Sequence, residues 1–296
     1  MSEFPPPEPA GRPSARAVTV VLAALSVLSL VIACGTSVRI RDNPFVRKML
    51  YPPPVEGMGA GLGPDTPGDG FDASDLARLL YDTVDPRGRV DYALIAERRA
   101  ELDGFLARVA KTDRGRLSKH GDLAFLLNAF NAAVITIVLD HPDAATILDV
   151  PEESGLGGRR FNIGGKEYTL ADLELTVLRP EFRDARIHFA MPKAARGLPH
   201  LRREPYVRER LPEQLDSQAR AFLAREKIAR LEATERKLHL TRLFDRYRDD
   251  FEGEGGAVAD WVIRYGPEVL SIQVRTVQNG LKIDYFDDDW SLDGTR

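Results

Sequence analysis

The sequence predicts an α+β fold: a mostly helical single domain with a central buried helix and short antiparallel hairpins making a small sheet. Three observations carry this expectation. Stretches with helical apolar spacing outnumber β-prone runs; the β-prone runs come in pairs around turn residues, with no regular βαβ alternation; and "DLAFLLNAFNAAVITIVLDH" is apolar almost all round. With 296 residues, 43% apolar and 29% charged, the chain can bury one sizeable core or two small ones. A net charge of -4, with both signs interspersed, offers no basic stripe, so nucleic acid is not an expected partner.

Three regions follow in order: a signal-like segment 1–33, a tether 34–70 and a globular domain 71–296. Residues 17–33, "AVTVVLAALSVLSLVIA", carry no charge and follow Arg12 and Arg16, the positive flank of a secretory signal. "VIAC" then leads into Cys34, the single cysteine of the chain, which excludes an intramolecular disulfide and a thiolate metal cluster. The arrangement resembles the bacterial lipoprotein signal, which implies lipidation of Cys34 and cleavage before it. The alternative is an uncleaved membrane anchor, since the stretch falls within the roughly 17–25 residues a spanning helix needs. Arg39, Arg41, Arg47 and Lys48 beyond it balance Arg12 and Arg16 before it, so the positive-inside rule does not choose. Both readings make the membrane a partner and, with an N-in anchor, place the remaining chain outside the cytoplasm. Gly35 after the cysteine, where retention in an inner membrane usually goes with Asp, points to the outer membrane of a cell with two.

In the tether, Pro52, Pro53 and Pro54 precede glycines at 57, 59, 61, 63, 68 and 70, predicting a flexible or extended spacer, while the tether's start can pack on the domain through Phe45, Leu50 and Tyr51. The glycine spacing fails the G-x-G-x-x-G dinucleotide fingerprint, and no strand precedes it.

The globular part opens with a helix over "LARLLYDTV", capped by Asp72 or Ser74, and a second amphipathic stretch through Leu94, Leu102, Phe105 and Leu106 to Val109. The third helix is the buried one. Its two polar interruptions, Asn128 and Asn131, share a face and must be hydrogen-bonded, either pinning a neighbouring loop's backbone or lining a site. "RFNIGGKEYTL" predicts a hairpin turning at Gly164 and Gly165, followed by a helix "ADLELTVLR" stopped by Pro180. "ARIHFAM" predicts a buried strand. A helix with Leu211, Leu215, Ala219 and Phe222 on one stripe comes next, then a hairpin around "ATERK". "LTRLFDRYRDDF" puts Leu243, Phe244, Tyr247 and Phe251 on a helical face, and "AVADWVIRY" and a strand "LKIDYF" close the domain.

Taken jointly and in this order, "VDYALI", "FLLNAFNAAVI", "FNIGGKEYTLADLELTVLR", "RIHFAM", "LPHLRREPY", "LTRLFDRYRDDF" and "KIDYFDDDWSL" resemble the domain of unknown function 547 (DUF547) family of bacteria and plants, over about residues 90–293. The resemblance implies no established reaction. After the segment matching Arg186–Ala190, members of that family usually carry Asn-Cys-Gly and then Ser-Cys-Pro-Pro-Leu, and a thiol beside an imidazole is a nucleophile in waiting. Here those positions are Pro192, Lys193 and Ala194, then Gly197, Leu198, Pro199, His200 and Leu201, so both cysteines are replaced.

The candidate catalytic residues are therefore His188, Lys193, Asn128 and Asn131. His188 reads either as a hydrogen-bonded core histidine or as a remaining catalyst. Lys193 could attack only if desolvation removed its proton near neutral pH, helped by Arg196. His200, beside "LRRE", reads as a solvated loop residue. The five histidines are scattered, with no H-E-x-x-H pair, and neither G-x-S-x-G nor S-x-x-K occurs, so no metal or cofactor is expected. Asp284, Asp287, Asp288, Asp289 and Asp293 lack EF-hand spacing and read as a solvated turn, with Trp290 and Leu292 tucking the tail onto the core. The sequence thus favours a lipid-anchored binding or structural module of the cell envelope, with an unidentified protein or peptide partner. The alternative is a cysteine-independent hydrolase or transferase acting on envelope peptides or acyl groups.

Overall fold

The predicted central helix organises the structure, a computed structural model that describes residues 52–59, 61–225, 227–253 and 256–296. Helix Lys119–Asp140 is buried from His120 to Val138 with few breaks, because its side chains are apolar on every face. Its composition would also suit a membrane span, but 89% of its apolar window is covered by the rest of the fold. Around it lie α1 (Ser74–Thr83), α2 (Tyr92–Glu97) and α3 (Arg99–Lys111), so the helix itself is α4. The second amphipathic stretch is thus two helices, broken at Arg98, whose guanidinium reaches Asp82 (2.6 Å) and Glu101 (2.7 Å). At the start of α1 the cap position is Ala73, not Asp72 or Ser74, and no side chain caps the helix; the Asp72 carboxylate instead accepts from Ser74 N at 2.9 Å just outside it.

The hairpin of β2 (Arg160–Ile163) and β3 (Lys166–Thr169) turns at Gly164 and Gly165, with φ of 61° and 79°, the left-handed pair that a two-residue turn demands. Those two glycines donate to Val109 O and Ala110 O, satisfying carbonyls that the end of α3 leaves open. The second hairpin, β4 (Ala229–Glu232) with β5 (Lys237–Thr241), gains a parallel third strand from β6 (Lys282–Phe286). Two apolar clusters result. One surrounds α4, and the other packs Phe189, Phe222, Phe244, Phe251 and Val262 beneath the three-stranded sheet. The fold is α+β and mostly helical, with three small sheets among the described residues.

Four expectations need correction. The "ARIHFAM" stretch is not a strand: Ile187–Ala190 is a short helix, started by Asp184, whose carboxylate accepts from Arg186 N at 3.0 Å. A short apolar run has no periodicity that separates strand from helix, and among the described residues it pairs with no strand. Pro180 does not stop its helix. The chain runs from Leu170–Asp172 through a π-helical segment, Leu173–Leu178, into Arg179–Phe182, where proline falls in the first turn and its missing N–H is harmless. "LTRLFDRYRDDF" is two turns, Leu243–Arg246 and Arg248–Phe251, although the four residues predicted to be buried are buried.

The fourth correction concerns the tether, which from Pro52 onward lies against the domain. Met58 and Leu62 are buried, and Gly59 N donates to Arg183 O at 2.9 Å. Asp65 accepts from His120 N at 2.9 Å and from Ser118 Oγ at 3.1 Å, while Thr66 Oγ1 accepts from Lys119 N at 2.8 Å. These residues fill the unsatisfied donors at the start of α4, which a spacer reading overlooks. The signal-like segment, Cys34 and the first part of the tether lie outside the described residues.

Candidate functional site

The turn Ile187–Ala190 joins the two apolar clusters, since Ile187 and Ala190 pack into the first and Phe189 into the second. His188 sits at that junction, yet its neighbours are largely charged. Its Nε2 lies 2.7 Å from Asp250 Oδ2, and because an ionised carboxylate only accepts, Nε2 carries the proton that is shared. The ring stacks on Tyr247 at 3.8 Å between centroids, while Nδ1 is buried without a hydrogen-bond partner.

Asp250 is shared. Arg179 donates to both its oxygens, from Nε and Nη2 at 2.7 Å each, and a second bond from Nη2 reaches Pro53 O at 2.9 Å. Burial raises the Asp250 carboxyl's pKa, but His188 and Arg179 outweigh it and hold the group below its ordinary value. Glu174 makes the second anionic centre: it accepts from the Tyr247 hydroxyl and from Lys193 Nζ at 3.1 Å. Burial raises this carboxyl too, and Lys193 and His188 bring it below normal. Burial lowers the Lys193 ammonium's pKa, but Glu174 and Tyr247 reverse that and the net shift is upward. Burial and Glu174 push the Tyr247 phenol up to about 12.

Lys193 is therefore a held ammonium. The nucleophilic role required a lowered pKa, and the Glu174 carboxylate supplies the opposite; that candidate fails on electrostatics. His188, Lys193 and Leu198 border one small cavity of about 10 Å³, room for a single water at most. The two positions where the resemblance implies cysteines thus converge on the histidine but carry an ammonium and an isobutyl group. The following loop is roofed by the C-terminal tail: Gly197 N donates to Asp289 O at 2.7 Å and Arg196 N to Ser291 O at 2.9 Å. A Cβ on Gly197 would stand 2.3 Å from Asp289 N.

The asparagine pair divides. Asn128 holds a backbone: its Nδ2 donates to Tyr206 O and its Oδ1 accepts from Tyr206 N, both at 2.8 Å. Asn131, with the amide oriented to suit its surroundings, donates to Leu127 O and Ala190 O at 3.2 Å and so steadies the turn that carries His188. Neither borders the small cavity. His200 is half-buried, not solvated, with Nδ1 at 2.8 Å from Arg87 O. The acidic tail is not a solvated turn throughout: Asp288 is buried against Thr241 and Arg246, and Asp293 accepts from Tyr92 OH at 2.9 Å. Asp287 is exposed, and Trp290 and Leu292 pack on the first cluster.

Glu174, Arg179, Tyr247 and Asp250 escaped the reading of the sequence as a site. Glu174 and Arg179 are five apart, a spacing that shares no face of an α-helix but comes close on a π-helical turn.

The fold and site together define a mostly helical α+β domain organised around a buried, mutually neutralised set of charged groups. Residues 115–223 match the family model described as "Protein of unknown function, DUF547", in agreement with the resemblance in the motifs. No curated protein matches, and no solved structure matches.

Proposed function

We propose that this chain is a lipid-anchored, extracytoplasmic binding or structural module of the cell envelope, whose family site has become a stabilising charge cluster. The observation that carries the non-catalytic part is the pairing of both candidate groups with buried carboxylates, Lys193 with Glu174 and His188 with Asp250, in front of a cavity too small for a substrate. The anchoring rests on "VIAC" and its uncharged leader. Palmitate labelling of the wild type and Cys34→Ala tests it: label in the first and none in the second is expected, and equal incorporation sinks the proposal.

One observation favours the alternative, a cysteine-independent hydrolase or transferase acting on envelope peptides or acyl groups. His188 is oriented by an aspartate and leaves Nδ1 unpartnered, the disposition of a general base. Acyl-ester and peptide hydrolysis by the wild type, lost in His188→Gln when folding is retained, would establish it. Equal rates in both proteins would remove it.

A further inference from the structure

A cleft of about 610 Å³ is lined by none of the residues of the His188 cluster. Its size is that of a small-ligand pocket. One wall is the turn 85–89, a rigid unit in which Asp85 accepts from Arg87 N at 2.8 Å and Arg89 N at 2.9 Å. Gly88, at φ +76°, lets that turn close on the segment around His200: an added Cβ would meet His200 Cβ at 2.6 Å. The other walls are residues 200–204 and the end of helix Leu211–Leu223, with Leu201, Ala221 and Phe222 giving an apolar floor.

Five arginines, Arg87, Arg89, Arg202, Arg203 and Arg225, face this cleft against two carboxylates, Asp85 and Glu204. Those carboxylates are already engaged. Asp85 pairs with Arg89 at 3.5 Å, and Glu204 takes Arg202 at 2.7 Å and Arg210 at 2.9 Å. Among the described residues Arg87 has no ion pair. Arg203 commits Nε to Tyr81 O at 2.9 Å and lies over the Tyr81 ring at 4.0 Å, and its terminal nitrogens have no carboxylate partner among the described residues. Arg225 donates only to carbonyls, Leu198 O at 2.6 Å and Arg196 O, with no carboxylate in contact. Burial of this uncompensated cation pulls its pKa down to about 10, against the pull of Asp293 and Asp289. Burial and Arg225 likewise lower His200. A surplus of positive charge set in a concave, partly apolar wall focuses its field on whatever enters.

We propose that this cleft binds an organic phosphate, a phosphomonoester whose oxygens are held by Arg87, Arg203 and Arg225 and whose apolar part lies on Leu201 and Phe222. Guanidinium forks match phosphate oxygens bidentately, and a dianion answers the excess charge better than a single carboxylate. The phosphate can come from a soluble metabolite or a lipid headgroup. The inference holds whether or not the chain is anchored or catalytic.

Calorimetric titration of the full chain in non-ionic detergent with hexyl phosphate, dihexanoyl phosphatidic acid and hexanoate tests it. One-to-one binding of hexyl phosphate, with hexanoate at least about tenfold weaker, is expected, and Arg87→Ala or Arg225→Gln should each weaken it by about tenfold. Arg87 is exposed and unpaired, so its variant reports on binding and not on folding. Binding of the phosphatidic acid alone, with the same arginine dependence, assigns the phosphate to a headgroup. Absence of saturable binding by both phosphates, or affinity unchanged in Arg87→Ala and Arg225→Gln, overturns the proposal.

Discussion

Asp250 holds His188 and Arg179 at once: Oδ2 lies 2.7 Å from the imidazole Nε2 and 2.7 Å from the guanidinium Nε, with all three side chains essentially out of water. A carboxylate so placed is a structural keystone. Its partners were taken from the solvent at a cost that its charge goes far to offset.

Asp250→Asn keeps the shape of the side chain and deletes that charge, leaving Arg179 buried and uncompensated. A loss of about 3–5 kcal/mol in unfolding free energy is expected. Urea denaturation followed by circular dichroism measures it. A loss below about 1 kcal/mol would mean that water reaches the pair.

Asp293 predicts a pH dependence of unusual sign. Burial, partly offset by the Tyr92 hydroxyl, raises its pKa from 3.8 to about 6. The folded chain then holds a proton that the unfolded chain has released, so this group's contribution is favourable below about pH 4 and is lost as the pH rises through 6. The amplitude is ~3 kcal/mol at 1.36 kcal/mol per unit. Asp293→Asn should flatten the stability profile between those pH values and gain on the wild type above them. Denaturation midpoints at matched pH read this directly, and a constant offset between the two proteins would refute it.

Asn128→Ala removes both bonds to Tyr206 and leaves a buried N–H and C=O without partners. Each such group costs about 1–3 kcal/mol, so a fall of at least about 2 kcal/mol is expected. Hydrogen exchange should show the Tyr206 amide losing protection ahead of the amides in the middle of Lys119–Asp140. Unchanged protection at Tyr206 would contradict the pinning role.

The elements legible in the sequence were those with local causes. Gly164 and Gly165 announced their hairpin by turn chemistry, and helix Lys119–Asp140 announced its burial by having no polar face. His188 and Lys193, named from the sequence as candidate catalytic residues, both border one small cavity. Their chemistry was not legible, because the groups that decide it come from elsewhere: Glu174 from a π-helical turn, and Tyr247 and Asp250 from a segment some sixty residues beyond His188. A charged residue flanked by apolar ones looks the same in sequence whether it meets solvent or a partner. The proline- and glycine-rich stretch from 52 to 70 misled for the same reason, since the donors it satisfies belong to the start of Lys119–Asp140.

Strand β1 (Val90–Asp91) pairs in parallel with β7 (Gly294–Thr295), and the Tyr92–Asp293 bond beside it spans 201 positions of chain. A Cβ on Gly294 would stand 2.1 Å from Val90 O, so the join admits almost no slack. During folding this seam therefore stays open until the far segment arrives. Closing the clasp therefore costs the loop-closure entropy of nearly the whole globular chain between its two halves.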